Sequence, residues 1–120
     1  MAKILVVDDS QAIRAMIEFT LKEQGHEVIA VHDAESALEI LTNPSIDLVL
    51  TDINMDGMSG YQLTEAIRQL PDYQHTPIIA LTTESDKKAQ ITGKQSGMTG
   101  WLAKPFQPEK LTQIVRHFTS

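Results

Sequence analysis

Two hydrophobic patterns alternate along the chain. Short aliphatic runs rich in Ile, Val and Leu occur at Lys3–Val7, Val28–Val31, Ile46–Leu50, Pro77–Leu81 and, more weakly, Trp101–Ala103. Runs that are apolar throughout are typical of strands covered on both faces, as in a parallel sheet between two layers of helices. The pattern therefore predicts five strands.

The segments between these runs have helical periodicity, with apolar residues three and four positions apart. Ser10 is the predicted N-cap of the first helix, and Gly25 stands where that helix would end. The other predicted helices are Ala34–Leu41, Tyr61–Leu70, Asp86–Ser96 and Pro108–Phe118. Strict alternation of strands and helices predicts one α/β domain over residues 1–120, with no room for a second domain.

Composition and charge exclude several classes of protein. The chain has 120 residues and no cysteine, so disulfides, a thiolate nucleophile and Cys-ligated metals are excluded. No apolar run approaches the ~18 residues that span a bilayer, and we expect a cytoplasmic protein without a membrane partner. The net charge of −6 disfavours autonomous binding to nucleic acid.

Polar residues of types that bind ligands or take part in reactions follow the predicted strands. Asp8 and Asp9 come after the first strand, Asp52 after the third, Thr82 after the fourth and Lys104 after the fifth. Because ligands of such sheets gather beyond the carboxyl ends of the strands, we expect these side chains to converge at one edge.

Three carboxylates at one edge require a compensating charge. At ~5 Å and an effective dielectric of about 20, each pair repels by about 3 kcal/mol. A proton, a lysine or a hard cation can offset this repulsion, and Mg²⁺ prefers such oxygen ligands. An aspartate can also act as the nucleophile in phosphoryl transfer, with Lys104 and Thr82 paired to phosphoryl oxygens.

The motif Asp8–Asp9, Asp52, Thr82 and Lys104–Pro105–Phe106 resembles that of the response-regulator receiver domain, and the resemblance covers the whole chain. It is most similar to the single-domain, chemotaxis (CheY-like) type, since nothing follows the last predicted helix. The resemblance implies a flavodoxin-like, doubly wound parallel sheet with strand order 2-1-3-4-5 and five helices.

The resemblance also implies a role for each residue of the motif. Asp52 is the expected phosphoacceptor for a histidine kinase, in a protein that is not a conventional enzyme but catalyses its own phosphotransfer and autodephosphorylation. Asp8, Asp9, Asp52 and the backbone carbonyl of Asn54 are the expected Mg²⁺ ligands. Thr82 and Lys104 would contact the phosphoryl group, with a cis peptide bond between Lys104 and Pro105.

The same resemblance implies a conformational switch. Thr82 would move toward the phosphoryl group, and the aromatic ring of Trp101 would turn into the space that it leaves. The surface of the fourth helix, fifth strand and fifth helix would then bind a target such as a flagellar motor switch component. A phosphatase is a further possible partner, and a monomer is the expected state.

Two positions depart from the usual receiver pattern, and two others are expected to tune the lifetime of the phosphorylated form. Asp56 stands where receivers often carry proline, and Thr83 replaces a small residue after the switch threonine. Asn54 and Glu84 lie where the family tunes dephosphorylation, and their residue types predict a short-lived acyl phosphate.

Other interpretations remain open for single residues. Asp9 and Ser10 could only cap a helix, Asp52 could be a turn residue, and Trp101 could be core. A haloacid-dehalogenase-type phosphatase and a P-loop nucleotidase lack their motifs here, and two acids would repel the phosphate of a flavodoxin-type cofactor. A phosphate sink, a regulator of a non-motor target and a phosphorylation-independent interaction module remain alternatives.

Overall fold

The computed structural model describes residues 1–43, 45–83 and 87–119. Its strands are β1 (Lys3–Val7), β2 (Glu27–Val31), β3 (Leu48–Asp52), β4 (Ile78–Thr82) and β5 (Gly100–Ala103). Its helices are α1 (Gln11–Glu23), α2 (Ala34–Ile40), α3 (Gly60–Arg68), α4 (Lys87–Ser96) and α5 (Pro108–Thr119). A single turn of 3₁₀ helix, Pro71–Tyr73, which the sequence pattern did not predict, lies between α3 and β4.

All five strands pair in parallel, in the order β2-β1-β3-β4-β5. The predicted α/β class, strand order and five helices are therefore confirmed. The register pairs Val7 with Thr51 and Asp52 with Leu81, while Thr82 pairs with Ala103. This register brings the carboxyl ends of β1, β3, β4 and β5 to one edge of the sheet.

Successive strand residues point to opposite faces, and both faces are covered. One hydrophobic cluster joins Leu5 and Val7 of β1 to Leu63 and Ile67 of α3, together with α2. The other cluster joins the alternate strand residues to Ile17 and Leu21 of α1 and to α5. Two-sided burial is the reason why the central strands are aliphatic at nearly every position.

The third and fourth strands begin later than the hydrophobic runs predicted. β3 covers Leu48–Asp52 instead of Ile46–Leu50, and β4 covers Ile78–Thr82 instead of Pro77–Leu81. Ile46 is buried but precedes the ladder, because apolar character reports burial and not strand pairing. Asp52 and Thr82 are consequently the last residues of their strands, where the sheet holds their backbone.

The helix ends carry the local signals that the sequence indicates. The Ser10 hydroxyl accepts a hydrogen bond from the amide of Ile13, and Gly25 has a φ of +89° just after α1. The predicted start of the fourth helix at Asp86 lies outside the described residues. Within the described ranges, no helix is long and apolar enough to cross a membrane.

Candidate functional site

Three aspartates meet at the carboxyl edge of the sheet. One carboxylate oxygen from each of Asp8, Asp9 and Asp52 lies within 4.8 Å of the others. Asp8 is fully buried and Asp52 nearly so, whereas Asp9 is exposed. The expected convergence of the acids is therefore present in the fold, because β1 and β3 are neighbours in the sheet.

Asp8 is held through all its polar groups. Its Oδ1 accepts a hydrogen bond from the amide of Ser10 at 2.9 Å, and its Oδ2 accepts one from Lys104 Nζ at 2.8 Å. Its backbone amide donates to the carbonyl of Val31, and its own carbonyl accepts from Arg14 Nη1 at 2.6 Å. A buried charge with this many partners has a defined position.

Lys104 contacts two of the three acids, and it brings the one ammonium group that reaches this cluster in the described part of the chain. Its Nζ lies 2.8 Å from Asp8 Oδ2 and 3.4 Å from Asp52 Oδ1. Burial lowers the pKa of Lys104, but the hydrogen bond and charge of Asp8, together with Asp52, outweigh burial and raise it. The lysine is therefore charged and fixed between the two carboxylates.

The backbone places this lysine beside Thr82. The amide of Lys104 donates to the carbonyl of Thr82 at 2.8 Å, and the Lys104–Pro105 peptide bond is cis, the isomer that the resemblance implies. Thr82 is buried at the end of β4, at the same edge as the acids. The acids, the lysine and the threonine thus share one small region.

Negative charge exceeds positive charge among the three acids and the lysine. Burial raises the pKa of the Asp52 carboxyl, the charge of Asp8 raises it further, and Lys104 only partly opposes them. Three closely spaced carboxylates, one of them unusually reluctant to ionise, form a donor set that suits a hard divalent cation with oxygen ligands. The residues present therefore fit Mg²⁺.

The expected tuning positions surround this cluster to different extents. Asn54 and Asp56 are exposed in the loop after β3, and Thr83 is exposed after β4. Glu84 lies outside the described residues. The structure thus places the Asp56 and Thr83 side chains in solvent.

Trp101 lies on β5 and packs against α4. A Cβ added at Gly93 of α4 would lie 2.7 Å from Trp101 Cζ2, so the glycine leaves room for the indole ring. The indole Nε1 is buried without a hydrogen-bond partner among the described residues. The indole ring therefore packs partly into the hydrophobic core, and its buried N–H receives no compensating hydrogen bond among the described residues.

Sequence reasoning missed two residues that shape the site. A Cβ on Gly60, the first residue of α3, would lie 2.2 Å from the carbonyl oxygen of Asp52. The available signal was the glycine itself, because the first position of a helix tolerates most residues and does not require one. Arg14, which holds the Asp8 carbonyl, had no local signal, because an arginine one turn into a helix is usually solvated.

A doubly wound parallel sheet with three clustered acids, a threonine and a lysine at its carboxyl edge defines a receiver-type signalling domain. Residues 4–116 match the family model for the response regulator receiver domain. The chain belongs to this family.

Relatives of the chemotaxis type cover nearly the whole chain. A chemotaxis protein CheY homolog of Campylobacter jejuni is 37% identical over 113 residues, which are 92% of this chain and 87% of the relative. The structure of chemotaxis response regulator CheY4 of Vibrio cholerae is 41% identical with a TM-score of 0.95, over 98% of both chains.

Other relatives are much longer than this chain. The response regulator protein FleR of Pseudomonas aeruginosa is 38% identical over 97% of this chain, but the match spans only 24% of FleR. Receivers similar to this one therefore also occur as parts of larger proteins.

Proposed function

We propose that this chain is a response-regulator receiver domain over residues 1–120 that accepts a phosphoryl group on Asp52 from the phosphohistidine of a histidine kinase. The observation that carries the proposal is the cluster of Asp8, Asp9 and Asp52 within 4.8 Å, with Lys104 in contact with two of the three. Family membership supports the kinase as phosphodonor.

Asp8, Asp9, Asp52 and the backbone carbonyl of Asn54 would hold Mg²⁺. The bound cation would supply positive charge to the phosphoryl oxygens. The support for this site is the excess of carboxylates over ammonium groups and the raised pKa of Asp52, both of which a divalent cation would relieve.

In the transfer itself, an oxygen of the Asp52 carboxylate attacks phosphorus. The bond between phosphorus and the imidazole nitrogen breaks, and its electron pair stays on the imidazole. Lys104, already 3.4 Å from Asp52 Oδ1, donates to one phosphoryl oxygen, and the Thr82 hydroxyl donates to another. Later attack by water returns Asp52 and inorganic phosphate, at a rate that we expect Asn54 and Glu84 to tune.

The response would pass to the surface formed by α4, β5 and α5. Thr82 and Trp101 lie on adjacent strands, so a shift of the threonine toward the phosphoryl group would change the space beside β5. The CheY-type relatives support a chemotaxis role. The target that we propose for that role is a flagellar motor switch component.

The phosphoacceptor role is tested by mass spectrometry after incubation with acetyl phosphate and Mg²⁺. Wild type should gain one phosphoryl adduct, and Asp52→Asn should gain none. Asp72→Asn, at an exposed aspartate of the 3₁₀ helix, is the matched control and should be labelled like wild type. An undiminished adduct in Asp52→Asn refutes the assignment.

The second candidate function is regulation of a non-motor target or service as a phosphate sink. The match to FleR favours it, because a similar receiver there occupies only 24% of the protein. Binding of a purified motor switch component to the beryllofluoride-activated protein separates the two candidates. Tighter binding on activation supports the motor role, and no binding in either state favours the second candidate.

A further inference from the structure

We propose that Arg14 is a positioning residue that holds the Asp8–Asp9 pair in the geometry that binds Mg²⁺. The inference rests on the metal site proposed above and extends it to a residue outside the donor set. Arg14 lies on the first turn and a half of α1, and its side chain reaches back over the turn that leads out of β1.

The contact that carries this inference joins a charged donor to a backbone carbonyl. Arg14 Nη1 lies 2.6 Å from the carbonyl oxygen of Asp8, and both groups are at least partly buried. Charged donors make shorter and stronger hydrogen bonds than neutral ones. Asp8 follows β1, so its carbonyl has left the sheet ladder, and Arg14 replaces the strand partner that it lacks.

This carbonyl belongs to the peptide group that joins the two acids. The Asp8 side chain accepts hydrogen bonds from the Ser10 amide and from Lys104 Nζ. Asp9 is exposed, so the direction of its carboxylate depends on the orientation of that peptide group. By holding the peptide plane, Arg14 would limit where the Asp9 carboxylate can lie relative to Asp8 and Asp52.

Positioning and simple charge predict opposite signs for the loss of Arg14. A positive guanidinium near the acids repels a divalent cation, so through charge alone its removal would tighten Mg²⁺ binding. Loss of a group that orients metal ligands typically weakens metal affinity by about 10- to 100-fold. The sign of the change therefore separates the two effects.

The experiment is calorimetric titration of Mg²⁺ into wild type, Arg14→Met and Arg14→Lys, with Arg116→Met at an exposed arginine of α5 as control. We expect Mg²⁺ affinity to fall by about tenfold in Arg14→Met. We expect a fall of about threefold in Arg14→Lys, which keeps the charge but lacks the planar fork. The control should match wild type.

Hydrogen exchange without metal gives a second readout. The amide of Ser10, which donates to Asp8 Oδ1, should lose protection in Arg14→Met while amides of β3 and β4 keep theirs. If Arg14→Met does not fold, the Mg²⁺ affinity of Arg14→Lys decides between the two effects. A role through charge alone would leave the Mg²⁺ affinity of Arg14→Lys equal to that of wild type, whereas a positioning role would lower it.

Unchanged or tighter Mg²⁺ binding in both Arg14 variants overturns the positioning role and leaves the proposed function standing. Absence of Mg²⁺ binding by wild type itself overturns both. Weakened binding in both variants with a normal control supports the inference.

Discussion

The excess of negative charge at the site predicts that removing the Asp52 carboxylate stabilises the protein. At an effective dielectric of about 20, the repulsion of Asp52 by each of Asp8 and Asp9, at separations within 4.8 Å, is about 3 kcal/mol. Its attraction to Lys104 at 3.4 Å is about 5 kcal/mol on the same scale. The two repulsions together exceed the attraction, and burial of Asp52 adds to the cost.

Asp52→Asn should therefore raise the free energy of unfolding by about 1–2 kcal/mol without Mg²⁺, since exposure of Asp9 to solvent weakens part of the repulsion. Lys104→Met should have the opposite effect. It leaves the buried Asp8 without its ammonium partner, and breaking a buried pair in this way costs about 3–5 kcal/mol.

Urea unfolding at pH 7.5 in low salt and EDTA measures both changes as shifts of the midpoint at constant slope. Asp72→Asn is the control and should change stability by less than about 0.5 kcal/mol. Added Mg²⁺ should stabilise wild type more than Asp52→Asn, because the cation relieves the same repulsion. A destabilised Asp52→Asn together with a tolerated Lys104→Met would refute the electrostatic reasoning.

The pH dependence has a definite sign. Burial and Asp8 raise the pKa of folded Asp52 above the unfolded value of 3.8, so ionisation of this group opposes folding. The stability that protonated Asp52 contributes is therefore lost as the pH rises from 3.8 through the raised pKa of the folded state. The advantage of Asp52→Asn over wild type should be absent below that window and complete above it.

Three further predictions concern the packing around the site. Gly60→Ala should destabilise the protein strongly, because the added Cβ would lie 2.2 Å from the backbone carbonyl oxygen of Asp52. Gly57 has a φ of +80° and open space around it, so Gly57→Ala should cost only about 1 kcal/mol. Equal urea unfolding midpoints for the two variants would contradict this difference. Gly93→Ala should shift the fluorescence emission of Trp101, because the added Cβ would press against the indole ring. The variant should also lack the stabilisation of about 1 kcal/mol that alanine normally brings to a helix interior. An unchanged emission spectrum together with that full stabilisation would refute the contact between Gly93 and Trp101. Ser59→Ala should cost about 1 kcal/mol in urea unfolding through loss of the α3 capping box, and unchanged stability would count against the cap.

Much of the fold could be predicted from local pattern. The five aliphatic runs and the helical segments between them indicate the α/β class, because periodicity and burial are properties of neighbouring residues. The β3 boundary shows the limit of such reasoning. Ile46 is as apolar as the strand that follows, and only pairing with β1 decides that the ladder begins at Leu48.

The candidate site was predictable as a set of residues but not as a set of contacts. Asp8, Asp9, Asp52 and Lys104 follow from their places at strand ends. That the lysine touches Asp8 more closely than Asp52 depends on side-chain packing after the sheet has formed.

The amino-acid sequence by itself determined the layered α/β architecture and the chemistry carried to one edge of the sheet, because both follow from the order of strands along the chain. The tertiary structure alone decided that Arg14 holds the Asp8 carbonyl, that α3 presses on the Asp52 backbone at Gly60, and that Trp101 rests on Gly93. These contacts depend on how helices rotate and approach the sheet, which no local pattern of residues specifies.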